Sequence, residues 1–306
     1  MKPFCAAVDW GTSRFRLWIL AEDGAVIHKL SSDEGLQFSA KIGFSKILED
    51  HLNSFKCLND LPVIICGMAG SRSGWKEANY LKAPVELTHI VENSVKIANT
   101  KRDIRILPGI AQHNANSPDV MRGEETQLFG MLFDKSNIVP TGTTTFCMPG
   151  THSKWVTFEN TRLQQFATFM TGELFALLSE HSVLKLSLSE HGVSNPTDPV
   201  FLKYVNKALS NPHEISTQLF SIRSSHLLGF TGLEAGHAAL SGSLIGLELA
   251  GAFSKHGKPA HVTLMASGSL GDLYAAALKE CNVEVTFCDA ENAGRIGLYQ
   301  AAKILW

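Results

Sequence analysis

AVDWGTSRFRLWIL, residues 7–20, decides how the whole chain is read. Residues 5–8 are apolar enough for a buried strand, and 14–20 alternate polar and apolar like a second one. Between them lies Asp9-Trp10-Gly11-Thr12-Ser13, with more hydrogen-bonding groups than a reversal of direction needs. A glycine turn with hydroxyls presents several backbone N–H groups in one concavity, a nest for anionic oxygens. Gly11 lets the backbone approach closely, and Thr12 and Ser13 add donors. An acid cannot bind phosphate directly, so Asp9 makes sense as a holder of Mg²⁺, directly or through water, with the ion bridging phosphates. The competing reading is a hairpin turn capped by its own Asp and Ser.

Outward from this turn the pattern is regular. Glu22-Asp23-Gly24 is a second hairpin signal, so the chain opens with three antiparallel strands. Phe44, Ile47, Leu48, Leu52 and Phe55 recur at helical spacing. A short strand over 61–66 runs into the glycine-rich loop 67–75, and another strand covers 104–107. Residues 119–133 read as a loop entering a helix, and Pro140-Thr141-Gly142 marks a break. Then the opening theme returns. A strand over 143–148 leads into Pro149-Gly150-Thr151-His152-Ser153, followed by strands over 154–158 and 163–170. Helices follow near 172–184, 198–209, 213–228 and 233–255. A strand over 261–266 enters a helix, a strand covers 283–287, and a helix closes the chain over 291–306. The second half repeats the plan of the first. It predicts two similar α/β domains, 1–135 and 136–306, facing each other across a cleft.

Composition narrows the partners. The 306 residues are 44% hydrophobic and 18% charged, with a formal net charge of −2. That lacks the basic footprint of nucleic-acid binding. The most apolar long stretch, 233–253, contains Glu234, His237 and Glu248, which argues against a membrane span. Six cysteines stand alone at 5, 57, 66, 147, 281 and 288, and read as reduced core thiols of a cytoplasmic protein.

The chemistry-bearing residues form a short set. Nothing matches the P-loop pattern, so a nucleotide would be held by the two hairpin turns, Gly11 to Ser13 and Gly150 to His152, as two clamps on one polyphosphate. Ser267, Gly268, Ser269 and Gly271 follow a strand and open a helix, a plausible nucleotide site. Arg122-Gly123-Glu124-Glu125 stands at a helix start. Its acids suit the helix dipole, and a carboxylate there also suits a general base for phosphoryl transfer to an alcohol. Only one of the two can face a given direction, since neighbours on a helix lie about 100° apart. In the loop with Gly70, Ser71 and Trp75, Arg72 could fork onto a substrate carboxylate. His152 and Lys154 flank the second turn and could touch phosphate or substrate. Gly242 and Gly246 suggest close helix packing.

Asp9 to Ser13 resembles the first phosphate motif of the sugar kinase, Hsp70 and actin superfamily. Beyond it, GMAGSRSGW (67–75), MRGEETQLFG (121–130), MPGTHSKWV (148–156), FMTGEL (169–174), IRSSHLLG (222–229) and LSGSLIGLEL (240–249) together resemble the 2-dehydro-3-deoxygalactonokinase family, in family order over nearly the whole chain. The resemblance implies two ribonuclease H-like α/β domains around an interdomain cleft. It also implies an ATP- and Mg²⁺-dependent kinase acting on the 6-hydroxyl of 2-dehydro-3-deoxy-D-galactonate in the De Ley–Doudoroff route of galactonate catabolism. By that likeness, Gly11, Thr12, Ser13, Gly150, Thr151 and His152 clamp the ATP phosphates. Asp9 serves Mg²⁺, and the 267–271 loop lies by the adenosine. Gly70, Ser71, Arg72, Trp75, Arg122 and Lys154 face the sugar acid, and Glu124, with Glu125 as alternate, is the base. The second turn departs from the superfamily in having Met148-Pro149 where an aspartate usually leads. The partners implied are a small sugar acid and ATP, without nucleic acid or membrane, and a homo-oligomer is compatible with the sequence. The rival readings are a nucleotide-dependent sensor on the same fold and a kinase for the gluco epimer.

Overall fold

The computed structural model of the chain describes residues 1–56, 60–134, 142–189, 192 and 194–306. The chain divides into two compact units. The first comprises Met1–Gly142, Phe158–Gln165 and Asp289–Trp306, the second Thr143–Thr157 and Phe166–Cys288. The α-helices longer than four residues are, in chain order, α1 (Leu36–Ile42), α2 (Phe44–Ser54), α3 (Glu124–Met131), α4 (Thr171–His181), α5 (Pro199–Ser210), α6 (Ile215–Leu227), α7 (Leu233–His256), α8 (Ser269–Glu280) and α9 (Ala290–Leu305).

The first unit is built on β1 (Pro3–Trp10), β2 (Phe15–Ala21), β3 (Val26–Ser32), β4 (Val63–Gly67) and β5 (Ile104–Ile106), in the spatial order β3-β2-β1-β4-β5. The first three are antiparallel, while β4 and β5 run parallel to β1. A second sheet is built on β6 (Thr143–Met148), β7 (Ser153–Glu159), β8 (Arg162–Phe169), β9 (His261–Met265) and β10 (Glu284–Cys288), all in the second unit except Phe158–Glu159 and Arg162–Gln165. Their order is β8-β7-β6-β9-β10, with β9 parallel to β6 and β10 parallel to β9. Three meander strands followed by two parallel ones, twice over, is the duplication expected from the sequence.

Alternation along β1 sorts its side chains onto two faces. Ala6, Val8 and Trp10 join Phe15, Leu17 and Ile19 of β2 against Phe44, Ile47, Leu48 and Leu52 of α2. Asp9 therefore falls on the opposite face, with Cys5 and Ala7, and that is the side on which α9 packs against β1 and β4. α3 in turn presses on α9 backbone to backbone. A Cβ built on Gly130 would lie 1.8 Å from the Ala293 carbonyl oxygen, and one on Gly297 would lie 2.1 Å from that of Thr126. Glycine on both helices is what lets this contact close.

The second unit buries Cys147, Trp155, Phe201, Val205, Leu249, Leu264 and Leu278 in one core. The sequence expectation for Gly242 and Gly246 holds: a Cβ at either would lie 2.4 Å from a carbonyl oxygen of α5, that of Phe201 or Val205. α7, the most apolar helix, is part of this interior, and no helix among the described residues is long and apolar enough to cross a membrane. Five cysteines are buried free thiols; Cys57 lies outside the described residues.

Two features depart from the sequence reading. A small sheet of Leu81–Lys82, Ile110–Gln112 and Asp119–Met121 takes in part of the loop read at 119–133 and two stretches to which the sequence assigned no strand. Strands of two or three residues are too short to show a period. A single division at 135 also fails to describe the units, because Phe158–Gln165 and the closing helix α9 belong to the first. Packing on β1, not order in the chain, decides where α9 goes. The 135/136 cut and Pro140-Thr141 themselves lie outside the described residues.

Gly130→Ala should lose about 1–3 kcal/mol of stability by overpacking α3 on α9, read as a lowered thermal midpoint. Gly294→Ala is the control, since its Cβ would meet only the Gln127 Cγ at an ordinary 3.5 Å. Equal midpoints for the two variants would contradict the backbone contact.

Candidate active site

The first turn is braced from within its own unit. Gly11 N–H donates to the Arg14 carbonyl at 2.8 Å, and Leu36 N–H to the Gly11 carbonyl at 3.0 Å. Gly35 lies so close beneath that a Cβ there would come within 2.4 Å of the Thr12 carbonyl oxygen. Thr12 and Ser13 are exposed at the tip. Asp9, opposite Arg16 in the strand register, accepts from Arg16 Nη1 at 2.9 Å, and the Cys66 thiol of β4 lies 3.8 Å from its other oxygen. Burial raises its pKa above the ordinary carboxylate value; Arg16 opposes that rise and the nearby Glu124 adds to it.

The helix start at α3 separates the two glutamates. Glu125 is 0% exposed. Its carboxylate turns back to accept from Gly123 N–H at 2.7 Å and from the Thr126 hydroxyl at 3.1 Å. Burial, with Glu124 beside it, pushes its pKa up to about 8. Glu125 is thus a buried cap. Glu124 is half-buried, accepts from Arg122 N–H at 3.1 Å, and lies within electrostatic reach of Asp9.

Arg122 lies against Gly70, where a Cβ would meet its Nη1 at 2.8 Å. Its Nη2 donates to the Ala78 carbonyl at 2.8 Å and its guanidinium covers the Tyr80 ring at 4.3 Å. Among the described residues, Nε and Nη1 are buried without a partner, and so is the hydroxyl of the neighbouring Ser71. The other two loop candidates sit differently. Arg72 is 92% exposed and 3.9 Å from Glu77, a solvated position. Trp75 stacks on Phe44 and meets Trp10 edge-on, so its ring completes the core.

In the second unit, the second turn and the 267–271 loop come together on one cavity of about 570 Å³. Gly150, Thr151, Thr171, Gly172, Ser269 and Leu270 line it, with apolar Leu244, Ile245 and Leu273. Gly268 takes φ +69° to turn the chain into α8. Ser267, Gly268 and Gly271 are off its lining. His152 leans outward onto Glu173 at 2.6 Å. Lys154 is 4% exposed and donates to the His152 carbonyl at 3.1 Å, which ties it to the turn. The sequence reading missed Glu248. It is 2% exposed and accepts from Ser153 Oγ at 2.6 Å, Trp155 Nε1 at 2.8 Å, the Tyr274 hydroxyl at 2.6 Å and the Thr171 hydroxyl. A glutamate in the apolar middle of a helix, Leu244-Ile245-Gly246-Leu247-Glu248-Leu249, was the available signal.

A family model described as 2-keto-3-deoxy-galactonokinase matches residues 9–301. The chain belongs to that family. It is 46% identical over 303 residues to a Rhizobium meliloti (strain 1021) protein described as a probable 2-dehydro-3-deoxygalactonokinase, covering 99% of this chain and 98% of that one. It is 32% identical to the Escherichia coli (strain K12) 2-dehydro-3-deoxygalactonokinase, covering 97% and 96%. A solved Sinorhizobium meliloti structure of the same description superposes with a TM-score of 0.95 at 46% identity, over 99% of each chain. An activator of 2-hydroxyisocaproyl-CoA dehydratase from Clostridium difficile shares the fold at TM-score 0.51 and 15% identity, over 98% and 96%.

Within this galactonokinase family the protein is a sugar-acid kinase acting on a keto-deoxy sugar acid. Its Glu125 gives a test that needs no substrate. The ordinary value is 4.5 and the folded value about 8, so folding takes up a proton between them. The stabilisation is complete below about 4.5 and is lost as pH rises through about 8, with a limiting slope of about 1.4 kcal/mol per pH unit. Glu125→Gln should flatten this slope relative to the wild type, measured by urea midpoints across that window. Parallel profiles would show that Glu125 does not hold a proton in the fold.

Proposed function

We propose that the protein transfers the γ-phosphoryl group of ATP to the 6-hydroxyl of 2-dehydro-3-deoxy-D-galactonate. The product is 2-dehydro-3-deoxy-6-phospho-D-galactonate, for aldol cleavage in the De Ley–Doudoroff route, in the cytoplasm. One observation carries the reading: a guanidinium with unpaired N–H groups two residues from a half-buried carboxylate. An orphaned buried donor is costly unless a ligand satisfies it. In this reading Arg122, with the Ser71 hydroxyl, takes the acid group of the substrate, and Arg72 stays in solvent.

Glu124 accepts the proton of the attacking hydroxyl. The new bond joins O6 to the γ-phosphorus, the bond from that phosphorus to the β–γ bridging oxygen breaks, and ADP leaves. Glu125 holds the start of α3 in place. The cavity of the second unit, with Thr151 and Ser269, takes the nucleotide, and the backbone N–H groups of each turn suit phosphate oxygens. Asp9 suits Mg²⁺, because a hard carboxylate oxygen crowded by a second acid favours a small cation that is otherwise held by phosphates and water. Bound there, Mg²⁺ supplies charge neutralisation on the phosphates.

The test is coupled ADP release with Mg²⁺ over a panel of sugar acids that includes the gluco epimer. The galacto acid should turn over best. Glu124→Gln should lower kcat by ~10²–10⁴-fold. No turnover on any acid would overturn the reading. In the same assay Arg122→Met should raise KM for the sugar acid roughly ten- to hundred-fold, the size of a charge-assisted hydrogen bond lost, while Arg72→Met leaves it unchanged. The reverse pattern would return the carboxylate to Arg72.

A further inference from the structure

Glu248 is a buried acid that the reaction above does not use. It rises from α7 and collects four donors from three other elements: Ser153 and Trp155 of β7, just past the second turn, Thr171 at the start of α4, and Tyr274 of α8. Ser153 and Trp155 bond to Oε1, Thr171 and Tyr274 to Oε2. Thr171 and Tyr274 also line the cavity, beside Gly150 and Thr151.

Each of the four neighbours carries one hydrogen to give, which matches an ionised, acceptor-only carboxylate. A hydroxyl has a single proton. Once Thr171 and Tyr274 direct theirs inward to Glu248, they can offer the cavity only lone pairs. A ligand group against them must donate, as a ribose hydroxyl or an amino group does and a phosphate oxygen does not.

We propose that Glu248 is the positioning residue of this cavity, holding the second turn, the start of α4 and α8 in register and setting the Thr171 and Tyr274 hydroxyls as acceptors, so that the inner wall takes the donor-bearing nucleoside and turns phosphate away. The proposal rests on the reading that the nucleotide occupies the cavity. Glu248→Gln makes it testable. The Trp155 N–H can only donate, so the amide oxygen must face it and the amide NH₂ faces Thr171 and Tyr274. Both hydroxyls then accept from the amide and point their protons into the cavity, and the wall reverses its polarity.

The experiment is calorimetric titration of the full chain with ADP and, separately, with pyrophosphate, alongside KM for the sugar acid. Glu248→Gln should weaken ADP at least tenfold, leave pyrophosphate no weaker, and leave KM for the sugar acid unchanged. Unchanged ADP affinity, or equal weakening of ADP and pyrophosphate with a lowered thermal midpoint, overturns the proposal, the second result marking a merely structural role. Should Glu248→Gln fail to fold, Tyr274→Phe decides: it removes a lone pair from the wall and should weaken ADP but not pyrophosphate, and unchanged ADP affinity overturns the proposal. Leu244→Trp separates the underlying reading, since it fills the cavity. Undiminished ADP binding in that variant removes the nucleotide from this cavity, and the role of Glu248 with it.

Discussion

A carboxylate taken out of water loses several kcal/mol of hydration, and only close donors can restore it. The second unit is arranged around one such acid. β7, α4 and α8 approach α7 at the place where Glu248 has bonds to offer, and apolar packing of Trp155, Leu249 and Leu273 closes around it. Burial pushes its pKa up, and the four donors pull the other way. The same burial, with Glu248 adjacent, pushes the Tyr274 phenol well above its ordinary value and so keeps it a donor. Removing a partner from such a cluster leaves a buried charge unanswered, so the elements meeting there are coupled.

The first unit uses its acids differently. Asp9, Glu124 and Glu125 crowd one region, and their surroundings separate them. Glu125 is sealed and capped, Asp9 is tethered to Arg16, and Glu124 keeps part of its surface in solvent. Environment, not residue type, gives three like groups three tasks. The glycine contact of α3 with α9 matters here because it fixes where the helix begins, and hence where Glu124 points.

How much of this was legible follows from the range of the interactions involved. The hairpin turns, the amphipathic α2 and the repeated strand plan are local patterns, and they read correctly from spacing alone. So did the packing role of Gly246, since small residues four apart on a helix have few other uses. The branch of the chain that carries α9 back to β1 was not legible, because nothing local in 290–305 says which sheet it will cover. The fate of Arg72 and Arg122 was hidden for the same reason. Both are arginines near glycines, and only the fold shows that one stands in solvent while the other lies over Tyr80. Glu248 was in plain view as an acid in an apolar helix, yet its four donors lie between 26 and 95 residues away.

The return of α9 also bears on how the protein is made. All of the second unit, 143–157 and 166–288, leaves the ribosome before α9 does. Until then the Cys5–Ala7–Asp9 face of the first sheet has no cover, and α3 has no helix to press on. The first unit therefore waits, half assembled and with apolar surface open, while the second can already fold. Its closure joins residues nearly a full chain length apart, a slow step by loop entropy. The acids of the first unit thus take up their places only once α9 has reached β1 and α3, however early their own residues are made.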